Sequence, residues 1–234
     1  MHETVLRTRL AAALRLRLKE APVTVLLGAR QTGKTTLAQL VAGDKATFYD
    51  LEEPTARAAL STPELTLRDC RGLVVLDEVQ RMPHLFSVLR PLADRPGRPA
   101  SFLLLGSASL DLVKGVSESL AGRALFLQVP GLALDEVGPG RQNRLWFRGG
   151  FLEPWLNPGD EFRTRWVEQY IQTYLFRDVK RLFPGLDDVR FRRFLEMLGG
   201  LSGRVLNYAE VARALGVSQP TARDYFAIAH GTFV

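Results

Sequence analysis

A short glycine-containing motif near the amino terminus constrains the fold of this chain more than any other feature. The run from Gly28 to Thr35 reads Gly-Ala-Arg-Gln-Thr-Gly-Lys-Thr and matches G-x-x-x-x-G-K-[S/T] at every fixed position. The apolar segment Val23–Leu27 precedes it, and the helix-compatible segment Thr35–Val41 follows it. A strand, a glycine loop and a helix in this order indicate a loop that binds phosphate groups through its backbone N–H groups and the positive end of the helix. The alternative, a glycine turn that binds nothing, is disfavoured by these flanking elements.

The chemistry of such a loop assigns roles to two of its side chains. The ammonium group of Lys34 is predicted to neutralise charge on the β- and γ-phosphates, and the hydroxyl of Thr35 is predicted to bind Mg²⁺. The predicted nucleotide contacts are Gly28, Ala29, Arg30, Gln31, Thr32, Gly33, Lys34, Thr35 and Thr36. The sequence therefore predicts ATP as the ligand and Mg²⁺ as its cofactor.

Two carboxylates follow a second apolar run, Leu73–Leu76. Asp77 is predicted to hold Mg²⁺, directly or through water, and Glu78 to polarise an attacking water molecule. A glutamate in this position favours water over a substrate hydroxyl as the phosphoryl acceptor. The pair therefore predicts an Mg²⁺-dependent ATPase, and the alternative of a polar strand end entering a loop is weak beside the phosphate-binding loop.

Two further residues are candidates for catalysis. Ser107 follows the apolar run Phe102–Leu105, where its side chain can position water beside the γ-phosphate; the alternative is a helix cap, a role for which Ser109 competes. Arg123 lies between a predicted helix and the next strand, where it can reach the γ-phosphate of a neighbouring subunit. The alternative for Arg123 is a surface salt bridge.

Apolar runs alternate with helical segments through the first part of the chain. The predicted strands are Val23–Gly28, Ala46–Leu51, Leu73–Leu76, Phe102–Leu105 and Ala124–Val129. The predicted helices between them are Thr35–Val41, Thr55–Cys70, His84–Ala93 and Leu110–Leu120. Four of these runs are apolar on both faces and are predicted to be buried, whereas Ala46–Leu51 is a weaker run; the pattern indicates an α/β fold with a parallel sheet covered on both sides. Leu6, Leu10, Leu14 and Leu18 recur at helical spacing and predict an amphipathic helix, docked on this core and ended by Pro22.

The composition changes after Val137. We expect an ATPase core over residues 1–137, a turn-rich linker over 138–160, and an all-α unit over 161–234. In that unit Asn207 is placed to cap a helix over Tyr208–Leu215, which Gly216 ends, and Ser218 opens a second helix. This arrangement is typical of a helix-turn-helix.

The second of these helices carries the residues that favour a nucleic-acid partner. Gln219, Thr221 and Arg223 are predicted to face a DNA groove. The alternative is that the helical unit packs against protein and touches no DNA. The formal net charge of +6 agrees with DNA binding, although arginine-rich surfaces explain it equally well.

The composition also bears on the location of the chain. It has one cysteine, lacks an apolar run of membrane-spanning length, and begins without a hydrophobic signal core. We therefore expect a cytoplasmic protein with no membrane partner.

With these motifs assembled, the chain resembles the bacterial and archaeal AAA+ ATPases that carry a DUF4143-type C-terminal region. The segments that carry the resemblance are Leu26–Leu37, Leu76–Pro83, Leu105–Ser109, Leu120–Arg123 and Tyr170–Val179. The resemblance implies a P-loop core with strand order 5-1-4-3-2, followed by a winged-helix-like unit. It implies the roles given above for Lys34, Thr35, Asp77 and Glu78, and a place for Gln80 at the site or its rim. It also implies that Arg123 acts between subunits of a homo-oligomeric ring, often a hexamer.

Members of that family continue beyond a segment like Asp224–Phe233 into a further domain, whereas this chain ends at Val234. We therefore expect that domain and its activity to be absent. The leading hypothesis is an ATPase that couples hydrolysis to DNA binding and remodelling, such as branch migration. The alternatives are a nucleotide-dependent switch that recruits proteins and, disfavoured by Glu78 and Arg123, a small-molecule kinase.

Overall fold

The computed structural model describes residues 5, 7–107, 110–157, 159–174, 179–180 and 183–231, without the side chains of 110 and 111. Leu6 and Ser109, which the sequence analysis used, lie outside these ranges. The chain divides into two compact units, Met1–Leu156 and Asn157–Val234. Each unit has its own apolar core.

The first unit contains a five-stranded parallel sheet. Its strands are β1 (Val23–Gly28), β2 (Thr47–Asp50), β3 (Gly72–Asp77), β4 (Ala100–Ser107) and β5 (Ala124–Gln128). They lie in the order β2-β3-β4-β1-β5, which is the expected 5-1-4-3-2 order counted from the opposite edge. All four strand pairings are parallel, so the α/β class is confirmed.

The central strands are apolar because both faces of the sheet are covered there. Every residue of β1 is buried, as are the last four residues of β3. Burial on both faces was also expected for the last strand, and there the expectation is wrong. Leu125 and Phe126 of β5 are each 37% exposed, because β5 is an edge strand. A short apolar run does not distinguish an edge strand from a central one.

Helices of the first unit connect and cover the strands. They are α1 (Thr8–Glu20), α2 (Lys34–Ala42), α3 (Pro54–Ala59), α4 (Pro63–Asp69), α5 (Leu85–Ala93), α6 (Leu110–Ser119), α7 (Leu134–Val137), α8 (Gln142–Arg148) and α9 (Leu152–Leu156). Leu10 and Leu14 of α1 are buried in the core beneath the sheet, as the amphipathic pattern predicts. The single helix expected over Thr55–Cys70 is instead two helices. Pro63 occupies the first turn of α4, and the ring of a proline disfavours helical geometry at the residue before it.

The structure corrects the expectation of a linker over residues 138–160. Residues 139–156 form a 3-10 turn and the helices α8 and α9, all within the first unit. Trp155 is fully buried there and packs with Leu132 and Val137 in a small apolar cluster. The glycines that suggested a linker are turns between short helices: Gly138 and Gly149 have φ values of 94° and 75°. The second unit accordingly begins at Asn157.

The regular secondary structure among the described residues of the second unit is helical. Its helices are α10 (Asp160–Thr173), α11 (Asp188–Leu201), α12 (Tyr208–Leu215) and α13 (Gln219–Gly231). Phe191, Phe194 and Tyr225 form the centre of its core. The rings of Phe191 and Tyr225 pack edge to face, with their centroids 5.3 Å apart. The part of this unit that the structure describes contains no strand, so it shows no β-wing of the kind that the resemblance implied.

The turn between α12 and α13 follows the local signals. The Asn207 side chain accepts hydrogen bonds from the backbone N–H groups of Ala209 and Glu210, at 3.1 and 3.3 Å. Gly216 ends α12 in a left-handed conformation, with φ of 65°. The predicted bounds of α12 are therefore confirmed, since caps of this kind require only neighbouring residues.

Candidate functional site

The glycine loop lies at the carboxyl end of β1, between that strand and α2. Gln31 and Gly33 have φ values of 61° and 83°, so the backbone turns sharply before α2 begins at Lys34. Gly28 is confined more tightly, because a Cβ atom there would lie 2.3 Å from the carbonyl oxygen of Val129. The loop is thus a close-packed turn at the N-terminus of a helix, the geometry in which successive N–H groups bind an anion.

Lys34 is buried within this loop. Its Nζ atom donates hydrogen bonds to the carbonyl oxygens of Gly28 and Ala29, at 2.9 and 2.7 Å. Burial lowers the pKa of Lys34 to about 8, against the opposing effect of the negative charges of Glu78 and Asp77. The lysine is therefore held among oxygen atoms at the place where the motif requires a cation for phosphate.

Thr35 and Asp77 come together from α2 and β3. The Thr35 hydroxyl donates a hydrogen bond of 2.7 Å to Oδ2 of Asp77, whose Oδ1 accepts one of 2.8 Å from the Glu78 backbone N–H. Mg²⁺ prefers a small number of oxygen ligands, usually with phosphate and water completing its octahedron. A hydroxyl and a carboxylate side by side beside a phosphate-binding loop fit that requirement.

Glu78 follows β3 in a left-handed backbone conformation, with φ of 53°. Burial raises its pKa; the charge of Arg30 opposes this rise, the charge of Asp77 adds to it, and a hydrogen bond from Gln80 opposes it. The Gln80 side-chain amide donates to Oε2 of Glu78 and also to Oγ of Ser107, the latter at 3.1 Å. Gln80, noted only through the family resemblance, thus bridges two of the predicted catalytic side chains.

Ser107 is the last residue of β4 and is paired in register with Gly28. That register brings Ser107 next to the start of the glycine loop. Because α6 begins at Leu110, Ser107 does not immediately precede that helix. The structure therefore places Ser107 with the site residues.

An ionic cluster at the rim of the site was missed by sequence reasoning. Glu52 pairs with Arg30 of the loop at 3.3 Å and with Arg81 at 2.6 Å. The available signal was that Glu52 follows β2, whose carboxyl end lies at the same sheet edge as that of β3. The positive charge of Arg30 also acts on Glu78, so the cluster adjoins the Asp77–Glu78 pair.

Arg123 does not lie at this edge. It precedes β5, and its carbonyl oxygen accepts a hydrogen bond from Val23, the first residue of β1. The length of β1, roughly 17 Å from its first residue to its last, therefore separates Arg123 from the loop. Arg123 makes two hydrogen bonds with the Asp94 carboxylate, at 2.6 and 2.8 Å, and these bonds hold the pKa of Asp94 below its usual value. Within one chain, Arg123 thus forms the surface ion pair that was its alternative interpretation.

The parallel sheet, the glycine loop and the adjacent Thr35–Asp77–Glu78 group define an AAA-type P-loop ATPase fold. A family model described as "AAA domain" matches residues 20–138, more than half of the chain, and the chain belongs to that family. Residues 140–234 match a second model, "Domain of unknown function (DUF8612)". This corrects the expected DUF4143-type region: four of the five motif segments behind that expectation lie in the ATPase core and do not discriminate among C-terminal regions.

The relatives found by sequence are uncharacterized proteins of Mycobacterium tuberculosis and Mycobacterium bovis. Each is 45% identical over 217 residues, which is 92% of this chain and 49% of the relative. The chain thus spans about half the length of the curated relatives it matches. Among solved structures, the chain is similar to the Walker-type ATPase of Pyrococcus abyssi. The alignment covers 98% of this chain and 90% of the Pyrococcus protein, with a TM-score of 0.61 and 16% sequence identity. At that identity the likeness concerns the fold.

A helix that crosses a lipid bilayer needs a long and predominantly apolar segment. Among the described residues, no helix combines the length and the apolar character needed to cross a membrane.

Proposed function

We propose that this chain binds ATP with Mg²⁺ and hydrolyses the ATP to ADP and phosphate. The observation that carries the proposal is the 2.7 Å contact between the Thr35 hydroxyl and Asp77, directly beside Glu78. Three separate elements, α2, β3 and the turn after β3, supply these side chains at one sheet edge. Their convergence next to a phosphate-binding loop is the arrangement that phosphate hydrolysis requires.

Binding is assigned to the loop and the helix that follows it. The residues proposed to contact the nucleotide are Gly28, Ala29, Arg30, Gln31, Thr32, Gly33, Lys34, Thr35 and Thr36. Their backbone N–H groups surround the phosphates, and Lys34 contributes its positive charge. Thr35 and Asp77 would hold Mg²⁺, which supplies neutralisation of phosphate charge when bound.

Hydrolysis is assigned to Glu78. Its carboxylate accepts a proton from water as the water oxygen forms a bond to the γ-phosphorus. The bond from the γ-phosphorus to the oxygen shared with the β-phosphate breaks, and that oxygen leaves with ADP. The burial that raises the pKa of Glu78 makes it a better proton acceptor. Gln80 and Ser107 position it through their shared hydrogen bonds.

The test compares wild type with Glu78→Gln and a matched control, Glu118→Gln. Glu118 lies on α6 with its side chain 66% exposed, so its substitution alters a glutamate away from the site. We expect Glu78→Gln to lower kcat by about a hundredfold or more while ATP binding persists. Unchanged turnover in Glu78→Gln would refute the role of Glu78. Failure of the wild type to bind ATP would refute the whole proposal.

We further propose that DNA stimulates this activity. The observation that favours it is the exposure of Gln219 and Arg223 on α13, whose opposite face is buried through Ala222 and Tyr225. Arg223 also lies 5.3 Å from the ring of Tyr208, which holds the guanidinium at the surface. Turnover should rise with duplex or four-way-junction DNA, and Arg223→Gln should reduce the rise. Identical turnover with and without DNA would favour the protein-recruiting switch instead.

A catalytic role for Arg123 requires a second copy of the chain. Arg123 lies at the amino ends of the strands, whereas the glycine loop of the same chain lies at their carboxyl ends. The phosphate that Arg123 stabilises would therefore be bound by a neighbouring subunit. We propose a homo-oligomeric ring in which Arg123 exchanges Asp94 for that phosphate. A hexamer is the assembly that the family resemblance favours.

A further inference from the structure

A buried arginine contacts the glycine loop from outside the motif. Arg7 is only 5% exposed and precedes α1. Its Nη1 atom donates a 2.9 Å hydrogen bond to the carbonyl oxygen of Thr32, the loop residue before Gly33. The guanidinium group therefore holds the loop backbone two positions before Lys34.

The other donors of Arg7 bind the segment that follows β5. Nη2 donates to the carbonyl oxygens of Pro130 and Gly131, at 2.9 and 3.0 Å. Nε and Nη2 donate to the Glu136 carboxylate, at 2.7 and 3.0 Å. One planar group thus connects the loop, the strand exit and α7. A rigid, forked donor set of this kind is specific to arginine.

The carboxylate partner is itself fixed in position. Oε2 of Glu136 also accepts a 2.9 Å hydrogen bond from the Ala133 backbone N–H. Burial acts to raise the pKa of Glu136, but the hydrogen bonds from Arg7 and Ala133 outweigh it and lower the pKa. The Glu136 carboxylate is therefore ionised at neutral pH, and this carboxylate on α7 fixes the guanidinium group from outside the loop.

Thr32 is held from a second direction. Its hydroxyl donates a 2.9 Å hydrogen bond to the carbonyl oxygen of Ala29, within the loop, and the residue is only 2% exposed. With its carbonyl held by Arg7, Thr32 has little freedom to rotate. The peptide groups around it, including the N–H groups that bind phosphate, share that restriction.

We infer that Arg7 is a positioning residue for nucleotide binding, which keeps the glycine loop in its binding-competent conformation. The inference rests on the proposed ATP binding. Without the Arg7–Thr32 contact, the loop samples other conformations, and apparent affinity falls in proportion to the fraction that remains competent. Bound nucleotide restores the loop conformation, so turnover at saturation stays near that of wild type.

The KM and kcat of ATP hydrolysis separate positioning from a merely structural role. Loss of positioning raises KM and leaves kcat nearly unchanged. Partial unfolding has the opposite signature, because it lowers the active fraction and hence kcat while KM remains that of the folded molecules. A fluorescent ADP analogue supplies an independent Kd that does not depend on catalysis.

The variants are Arg7→Lys and Arg7→Gln, with Arg9→Gln as the matched control. Arg9 belongs to the same helix region and pairs with Asp135, the neighbour of Glu136, but the side chains of that pair are 73% and 49% exposed. We expect Arg7→Lys and Arg7→Gln to raise KM and the ADP-analogue Kd by about tenfold or more, with kcat within about twofold of wild type. Arg9→Gln should change each constant by less than about twofold.

Glu136→Gln provides a second variant should Arg7 substitutions prevent folding. It retains an acceptor oxygen for Arg7 but removes the charge that fixes the guanidinium, so a smaller rise in KM is expected. An unchanged KM in the Arg7 and Glu136 variants, or a loss of kcat at unchanged KM, would overturn the inference about Arg7 and leave the proposed function standing. A wild-type chain that binds neither ATP nor the ADP analogue would overturn the proposed function, and the inference with it.

Discussion

At the residue scale, Lys34 combines a required charge with an environment that disfavours it. Burial among the loop carbonyls lowers its pKa to about 8, although Asp77 and Glu78 lie nearby. Lys34 therefore loses its charge at a pH only slightly above neutral. Phosphate bound at the loop would add negative charge beside the ammonium group and raise the pKa again.

Proton uptake by Lys34 predicts a pH-dependent affinity for ATP. Below pH 8 the lysine is charged with or without ATP, so affinity stays level. Above pH 8 the free protein has lost the proton that the complex requires, and the Kd should rise by up to about tenfold per pH unit. Titration calorimetry at pH 7, 8 and 9 in buffers of different ionisation enthalpy measures both the Kd and the proton uptake.

Lys34→Ala is the control for this pH dependence. It should bind ATP weakly at every pH and lack the rise in Kd attributed to the lysine. Equal slopes for wild type and Lys34→Ala would show that another group, or the nucleotide itself, causes the dependence.

At the scale of elements, the close approach of β1 to the exit of β5 shapes the start of the loop. The Val129 N–H donates a 2.6 Å hydrogen bond to the carbonyl oxygen of Leu27. This contact leaves no space for a side chain at Gly28. The small residue is therefore required by the packing of two strands as well as by phosphate.

Gly28→Ala should consequently disturb both stability and binding. The new Cβ would lie 2.3 Å from a backbone oxygen, so β1 or the strand exit must shift. We expect a loss of about 1–3 kcal/mol in the free energy of unfolding, and a loss of ATP affinity. Thermal denaturation with and without ATP measures the two effects separately.

Gly140→Ala is the matched control, since nothing lies within 4 Å of a Cβ built there and its φ is not positive. It should change stability by less than about 0.5 kcal/mol. If Gly28→Ala behaved like Gly140→Ala, the close approach would not constrain the loop.

At the scale of the whole molecule, the two ends of the parallel strands carry different parts of the proposed machinery. The glycine loop and the Asp77–Glu78 pair lie at the carboxyl ends of the strands, and Arg123 lies at their amino ends. In a ring, a repeated head-to-tail interface brings these opposite ends of adjacent subunits together. One chain would then complete the site of the next.

Mixing inactive variants tests this arrangement. Lys34→Ala lacks a working nucleotide site, and Arg123→Ala lacks the arginine it offers to a neighbour. In an equal mixture that exchanges subunits, about a quarter of the interfaces join an intact site to an intact arginine, so about a quarter of wild-type turnover should return.

A mixture of Lys34→Ala and Glu78→Gln serves as the control, because both substitutions disable the same site and no interface restores it. Recovery in the first mixture alone would support action between subunits. An Arg123→Ala variant with wild-type turnover would leave Arg123 as a surface partner of Asp94.

The features that depend on neighbouring residues could be predicted from the order of amino acids. The loop around Lys34, the Asp77–Glu78 pair after an apolar strand, and the Asn207 cap each follow from chemistry within a few positions. The strand order followed from the family resemblance, because pairing between distant strands has no local signal in one sequence. The sheet and the central residues of the candidate site could thus be predicted before the structure was known.

Contacts between groups that are far apart in the sequence are visible in the folded chain alone. Arg7 and Glu136 are separated by 129 positions, and Gln80 and Ser107 by 27, yet each pair is in hydrogen-bond contact. The burial of Trp155 within a glycine-rich stretch is decided in the same way. A polar group buried in the packed core is costly unless it is hydrogen-bonded, so packing determines which distant groups must pair, and no short segment of the chain contains that information.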